Sequence, residues 1–148
     1  MKIKGTNKAD RLVASAGDDT VSGGRGNDWI EGAGGDDTLT GGSGADKFVF
    51  RSNGGHDVVT DFNRAEGDTV LLDSQTGVYD GYLGGRFGAL SDGLEIYNSH
   101  GTLVATVHAG DWDGDGVGDT QFEMASGATL TLLGVDPSEL SSSMLFGG

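Results

Sequence analysis

The chain has 148 residues, a formal net charge of −14 at pH 7, 35% apolar residues and 29 glycines. That charge makes nucleic acid and anionic membranes poor partners unless a cation bridges them, and no apolar run approaches the ~18 residues of a membrane span. The absence of cysteine removes disulfides, thiol catalysis and thiolate zinc sites, and so small an apolar share makes a bound metal the expected staple.

Five nine-residue units run without a break over residues 5–49: GTNKADRLV, ASAGDDTVS, GGRGNDWIE, GAGGDDTLT and GGSGADKFV. Slot six is always Asp (Asp10, Asp19, Asp28, Asp37, Asp46), and slot eight is always apolar (Leu12, Val21, Ile30, Leu39, Phe48). Units three and five fit G-G-x-G-x-D-x-U-x in full, the calcium-binding nonapeptide of parallel β-helices. Glycine at slots one, two and four admits φ > 0, and the tight turn aims backbone carbonyls one way. Calcium, a hard cation, takes six to eight oxygens from carboxylates and carbonyls alike.

The expected ligands are therefore the five Asp residues with the turn backbones. These are Ser15 and Gly17 in unit two and Gly23, Gly24, Arg25 and Gly26 in unit three. Gly32, Ala33, Gly34 and Gly35 follow in unit four, and Gly41, Gly42, Ser43 and Gly44 in unit five. Slots seven to nine leave room for a three-residue strand with slot eight pointing inward. Two units make one coil, so units one, three and five stack on one edge and units two and four on the other. This pairs Asp10 with Asp28, Asp28 with Asp46, and Asp19 with Asp37, carboxylates that repel one another without metal. Thr6, Lys8, Ala14 and Ser15 replace glycine or its neighbours in units one and two, which marks the first turn as a cap.

The phase breaks after Phe50. The run SNGGHDVVT from Ser52 reads as a sixth, degenerate turn with Gly55 in slot four, Asp57 in slot six and Val59 in slot eight. It covers unit four and adds a site between Asp37 and Asp57. Beyond residue 60, strand candidates are 70–72, 94–97, 103–107, 120–124 and 129–133, with 81–88 and 99–101 as loops. Short strands with few helical signals suggest a sandwich or a continued solenoid. Asp136-Pro137-Ser138-Glu139 has the form of a helical N-cap, a first-turn proline and a capping-box acid, so one helical turn is expected.

The run GDWDGDGVGD places Asp111, Asp113, Asp115 and Asp119 at loop positions one, three, five and nine, with Gly116 at six. That is the opening of an EF-hand-like loop, in which position seven, Val117, offers its carbonyl. Phe122 stands at position twelve and Glu123 comes one residue late, and the flanks read as strands. The alternative is a solvated acidic hairpin. There is no H-E-x-x-H, no nucleophile elbow and no phosphate-binding loop, and the three histidines, His56, His100 and His108, are scattered.

These residues resemble the repeats-in-toxin (RTX) calcium-binding family, and in particular the C-terminal domains of serralysin-like proteases and related type I-secreted proteins. The resemblance rests on the nonapeptides, on GADKFVF at 44–50 as the exit from the repeats, and on DVVTDF at 57–62 with GDTVLLDS at 67–74. It also rests on the tail, LLGVDP at 132–137 and MLF at 144–146. It implies an all-β fold: a right-handed parallel β-roll (β-solenoid) of nonapeptide repeats over residues 1–60, capped by an antiparallel β-sandwich-like region over 61–148. It further implies folding on Ca2+, an uncleaved C-terminal export signal, a type I secretion apparatus as partner, and an extracellular location. Serralysins carry their catalytic zinc in a separate domain, so the resemblance implies no enzyme here. Ser143 replaces the acid often found before the terminal apolar triplet, and Gly147-Gly148 follows.

Other readings stay open. The chain is alternatively a calcium-dependent module for extracellular polysaccharide, with Trp29, Trp112, Tyr79, Tyr82 and Tyr97 as stacking faces, or a secreted calcium buffer. Asp136-Pro137 is also the dipeptide at which some RTX proteins cleave themselves. Ice binding needs a ladder of like residues, which slot seven (Arg11, Thr20, Trp29, Thr38, Lys47) does not form over the five units.

Overall fold

A computed structural model describes residues 1–51, 54–74, 77–78, 95–97, 103–124, 126–139 and 145–146. Its strands in chain order are β1 (Lys2–Lys4), β2 (Arg11–Val13), β3 (Thr20–Arg25), β4 (Trp29–Glu31), β5 (Thr38–Ser43), β6 (Lys47–Arg51) and β7 (His56–Val59). There follow β8 (Thr69–Ser74), β9 (Gly77–Val78), β10 (Glu95–Tyr97), β11 (Leu103–Gly110), β12 (Asp119–Met124), β13 (Thr129–Leu132) and β14 (Leu145–Phe146).

Two units do make one coil. Strands β2, β4 and β6 carry units one, three and five in one parallel wall, while β3 and β5 carry units two and four in the other. The register aligns slot eight with slot eight: Leu12 with Ile30, Ile30 with Phe48, and Val21 with Leu39. Alternation of slots seven to nine then turns slot eight inward in every coil. Val21, Ile30, Leu39 and Phe48 are fully buried, with Leu12 packed against them from the first coil.

Two features differ from the expectation. Strands β3 and β5 are six residues long, not three, because they run on into slots one to three of the next unit. Gly24 pairs with Gly42 and Arg25 with Ser43, and this close stacking needs glycine, since a Cβ on Gly42 would collide with Gly24 O. Strand β1 lies before the first unit and extends the wall by pairing Ile3 with Val21.

The degenerate sixth turn delivers β7 beside β5, with Leu39 opposite Val59, and β8 falls beside β6, with Phe48 opposite Val70. The C-terminal half lengthens both walls. Strand β13 joins β7 in parallel and is followed by antiparallel β12, β11 and β10, while β14 and β9 flank β8. One core runs through both halves, from Val21 and Ile30 to Phe50, Leu72, Val107, Phe122 and Leu132.

The expected strands over 70–72, 103–107, 120–124 and 129–133 fall in β8, β11, β12 and β13, and 94–97 meets β10. The turn at 136–139 is 3-10, spans Pro137–Glu139, and is capped by Asp136 Oδ1, which accepts from Ser138 N at 2.9 Å. The loops 81–88 and 99–101, with Tyr79, Tyr82 and His100, lie outside the described residues.

Candidate metal sites in the turns

The slot-six Asp of units three to five are each tied to the coil before. Asp28 Oδ1 accepts from Asp10 N at 2.9 Å, and Asp46 Oδ1 from Asp28 N at 2.9 Å. On the other edge Asp37 Oδ1 accepts from Asp19 N at 2.8 Å, and Asp57 Oδ1 from Asp37 N at 3.1 Å. Asp57 therefore occupies slot six of the degenerate turn. Asp68 continues the first column, accepting from Asp46 N at 2.8 Å. Sequence reading passed Asp68 over because the separation between partners rises from 18 residues to 20 and then 22.

The second oxygen of each carboxylate separates the turns into two kinds. Asp28 Oδ2, Asp37 Oδ2 and Asp46 Oδ2 are buried with no hydrogen-bond partner, on residues only 2%, 1% and 1% exposed. A bare buried carboxylate oxygen is costly, and a cation bound there would satisfy it. The spaces fit one. A Cβ on Gly23, Gly32 or Gly41, the slot-one glycines, would collide with these oxygens. Asp28 Oδ2 and the Gly41 carbonyl of the next coil both border the Gly23 Cβ position, and Asp57 Oδ2 comes within 3.1 Å of the Gly32 Cβ position that Asp37 Oδ2 also borders. A carboxylate oxygen with a carbonyl or a second carboxylate is a hard-oxygen donor set of the kind calcium takes.

The outer turns are closed instead. Asp10 Oδ2 accepts from Thr6 N at 2.6 Å and Thr6 Oγ1 at 2.9 Å. Asp19 Oδ2 accepts from Ser15 N at 2.8 Å and Ser15 Oγ at 2.7 Å, and Met1 N lies 2.8 Å from its Oδ1. Asp68 Oδ2 accepts from Asn63 N at 2.7 Å.

Burial and neighbouring charges set the electrostatics of the columns. The Met1 ammonium and the Ser15 donors lower Asp19 to about 2. Burial pushes Asp57 up to about 8, with the Asp37 charge adding to it. Burial likewise pushes Asp46 up to about 6, helped by the charges of Asp68 and Asp28. Asp37 and Asp68 are raised by burial as well. Carboxyls that burial raises bind a cation with release of protons.

Of the expected backbone ligands, several carbonyls are engaged between coils. Ser43 O accepts from Gly26 N at 3.0 Å and Ser15 O from Gly34 N at 3.3 Å. The carbonyls of Gly24 and Gly26 lie where a Cβ on Gly42 and Gly44 would sit, and those of Gly17 and Gly35 where one on Gly35 and Gly55 would. A second ladder escaped the sequence reading. Slot-five side chains bond the coil above, Asp18 to Asp36 N at 2.8 Å, Asn27 to Ala45 N at 2.9 Å and Asp36 to His56 N at 3.0 Å. Its signal was Asp or Asn at slot five. Asp61 closes the open end of unit five, taking Gly41 N and Gly42 N, each at 2.8 Å.

The acidic loop joins β11 to β12. Asp111, Asp113 and Asp115 are exposed and converge, one oxygen from each within 4.8 Å of the others. Asp111 accepts from Gly114 N and Gly116 N, Asp113 from Asp115 N, and Asp115 from Val117 N. Asp119 does not join them. It is fully buried and accepts from Trp112 N at 2.8 Å and Gly134 N at 2.7 Å, pinning the neck of the loop. Glu123 faces His108 on β11, at 3.4 Å. His56 bonds Thr129 Oγ1 at 2.8 Å.

On the outer face of the other wall, Trp29 lies between Arg11 and Lys47, 5.7 and 5.0 Å from its ring. No helix among the described residues is long and apolar enough to cross a membrane.

Residues 4–39, 13–48 and 22–59 match the family described as RTX calcium-binding nonapeptide repeat, in four copies. Residues 4–59 thus carry RTX repeats, a calcium-binding structural module, and the cofactor of that repeat family is Ca2+. No curated protein matches the chain. Among solved structures it is similar to the solution structure of the AlgE6R3 subunit from the Azotobacter vinelandii mannuronan C5-epimerase. The identity is 22%, over 96% of this chain and 80% of that one, with a TM-score of 0.34.

Proposed function

We propose that this run of RTX repeats makes the chain a calcium-dependent folding module of an exported protein. Where calcium is scarce, the acidic, glycine-rich coils stay open and threadable. Outside the cell calcium fills the inner turns and the two walls close. The observation that carries this reading is the set of bare, buried oxygens on Asp28, Asp37 and Asp46, which a bound cation satisfies.

The magnitudes suit a switch. At a dissociation constant of ~10⁻⁴ M, usual for extracellular calcium modules, about 1 mM calcium contributes ~1.4 kcal/mol per site. Three inner turns then contribute about 4 kcal/mol, a large part of a small domain's stability. The exposed loop at Asp111, Asp113 and Asp115 is a further calcium site in this reading. Residues 1–60 act as the roll and residues 61–148 as its cap, which ends in a type I export signal read by a secretion apparatus. Circular dichroism in chelator and in millimolar calcium tests the folding role, and one folded spectrum in both conditions refutes it. Export of a passenger fused to residues 61–148 tests the signal, with retention inside the cell as the refuting result.

A second reading has its own observation. Trp29 flanked by Arg11 and Lys47 offers an aromatic face between two cations, suited to stacking on an acidic sugar. Calcium-dependent retention on an acidic polysaccharide, lost in Trp29→Ala, supports that role, and equal retention of both proteins refutes it.

A further inference from the structure

We propose that the slot-two residue decides which turns take a cation, and that Thr6 and Ser15 close the first coil to calcium. This rests on the calcium reading above and assigns its ions to particular turns.

In the inner units slot two has positive φ: 103° at Gly24, 72° at Ala33 and 93° at Gly42. Ala33 is the only non-glycine with positive φ among the described residues. The sign of φ at this position goes with the orientation of the preceding peptide plane, as it does between type I and type II turns. In one orientation the slot-one carbonyl faces the space between coils. The Gly41 carbonyl does so beside Asp28 Oδ2, and the Gly23 carbonyl does so beside Asp10 Oδ2, so the donors on the carboxylate and not the carbonyl tell the two turns apart. In the other orientation the slot-two N–H faces its own slot-six carboxylate, as Thr6 N and Ser15 N do at 2.6 and 2.8 Å. Their hydroxyls add a second donor at 2.9 and 2.7 Å. A carboxylate oxygen holding two donors has little left for a cation.

Unit two separates the slots. It has glycine at slot four, Gly17, as the inner units do. Gly26, Gly35 and Gly44 there have φ of 106°, 92° and 121°, yet Gly17 is not among the positive-φ residues. Glycine at slot four therefore does not open a turn. What distinguishes unit two is Ala14-Ser15, and the slot-one glycines of the inner units have no room for the methyl that Ala14 carries.

The cation spaces are then keyed to Asp28, Asp37 and Asp46. They lie between units three and five, between unit four and the Asp57 turn, and between unit five and the Asp61–Asp68 turn. The last extends metal binding past the nonapeptides, onto a turn whose Asp68 is fully buried.

Equilibrium dialysis with metal analysis at saturating calcium counts the ions per chain. The double variant Ala14→Gly/Ser15→Gly completes unit two and is expected to bind one ion more than wild type. Asp10→Asn and Asp19→Asn are expected to bind the wild-type number, whereas Asp28→Asn binds one fewer. An unchanged count in the folded double-glycine variant overturns the inference, as does the loss of an ion in Asp10→Asn or Asp19→Asn. If the double variant does not fold, the asparagine variants decide. A wild-type chain that binds no calcium overturns the calcium reading and this inference together. Calcium binding with the wrong distribution overturns this inference alone.

Discussion

Asp57→Asn separates the two roles of the inner carboxylates. Asn keeps an oxygen for the Asp37 N–H, now 3.1 Å from Asp57 Oδ1, and removes one of two charges that meet beside Gly32. In the metal-free protein burial holds Asp57 up at about 8, against 3.8 in the open chain. At pH 7 folding must take up a proton there, at ~1.4 kcal/mol per pH interval above 3.8, or about 4 kcal/mol as an upper bound. Relaxation of the site reduces this to roughly 2–4 kcal/mol, the expected gain of the variant in chelator. The same substitution takes a charged ligand from the calcium space keyed to Asp37. The increment that 1 mM calcium adds to stability then falls by ~1.4 kcal/mol, one site's share. Denaturation followed by circular dichroism at pH 7, in chelator and in calcium, measures both quantities. Urea serves for folded samples and a stabilising osmolyte for unfolded ones. The reasoning fails if the chelated variant is no more stable than wild type, or if its calcium increment is undiminished.

Acidity should substitute for calcium. Burial raises Asp46 to about 6 and Asp57 to about 8, so metal-free stability is greatest below pH ~3.8 and is lost as pH rises through those values. Circular dichroism in chelator should show more folded protein at pH 5 than at pH 8. In Gly41→Ala the new methyl collides with Asp46 Oδ2 and lies 3.0 Å from the Phe48 ring. Stability should fall by roughly 1–3 kcal/mol, and isothermal titration should show one calcium site weakened about tenfold or more, a loss of ~1.4 kcal/mol. Phe48→Ala empties a fully buried position packed on Phe62. It should cost about 3–5 kcal/mol and lower the melting temperature in calcium by roughly 10 °C.

Much of the roll was legible because slots six and eight answer to chemistry that sequence shows directly. An apolar residue every nine positions can only be a stacked core, and Asp57 and Val59 kept those roles after the phase shifted by two. Asp68 keeps the same roles but falls after a second shift, where the eight residues of the Asp61–Asp68 turn replace the usual six. Period alone therefore lost it. The six-residue strands were hidden because Gly-Gly reads as a turn. Between stacked coils, however, it lets two backbones approach until they pair. Asp119 looked like a loop ligand by spacing, but spacing does not show that Trp112 N and Gly134 N already occupy both of its oxygens. The open and closed turns differ in the sign of φ at slot two. Thr6 and Ser15 were visible there as departures, while the direction of their N–H groups was not.

On the proposed calcium switch, the same carboxylates let a cation in the middle govern the whole roll. Through Oδ1 they form two unbroken columns, Asp10–Asp28–Asp46–Asp68 and Asp19–Asp37–Asp57. Through Oδ2 the end members Asp10, Asp19 and Asp68 close on their own turns, and the inner members Asp28, Asp37 and Asp46 close on nothing. Asp10, Asp19 and Asp68 are satisfied by their own turns but are linked only through the inner members, whose second oxygens are bare and buried. In that switch the inner coils part without metal, and each column is cut into short pieces too small to bury slot eight on both walls. Calcium satisfies those oxygens at the positions where the columns join, so the coils close together rather than one by one.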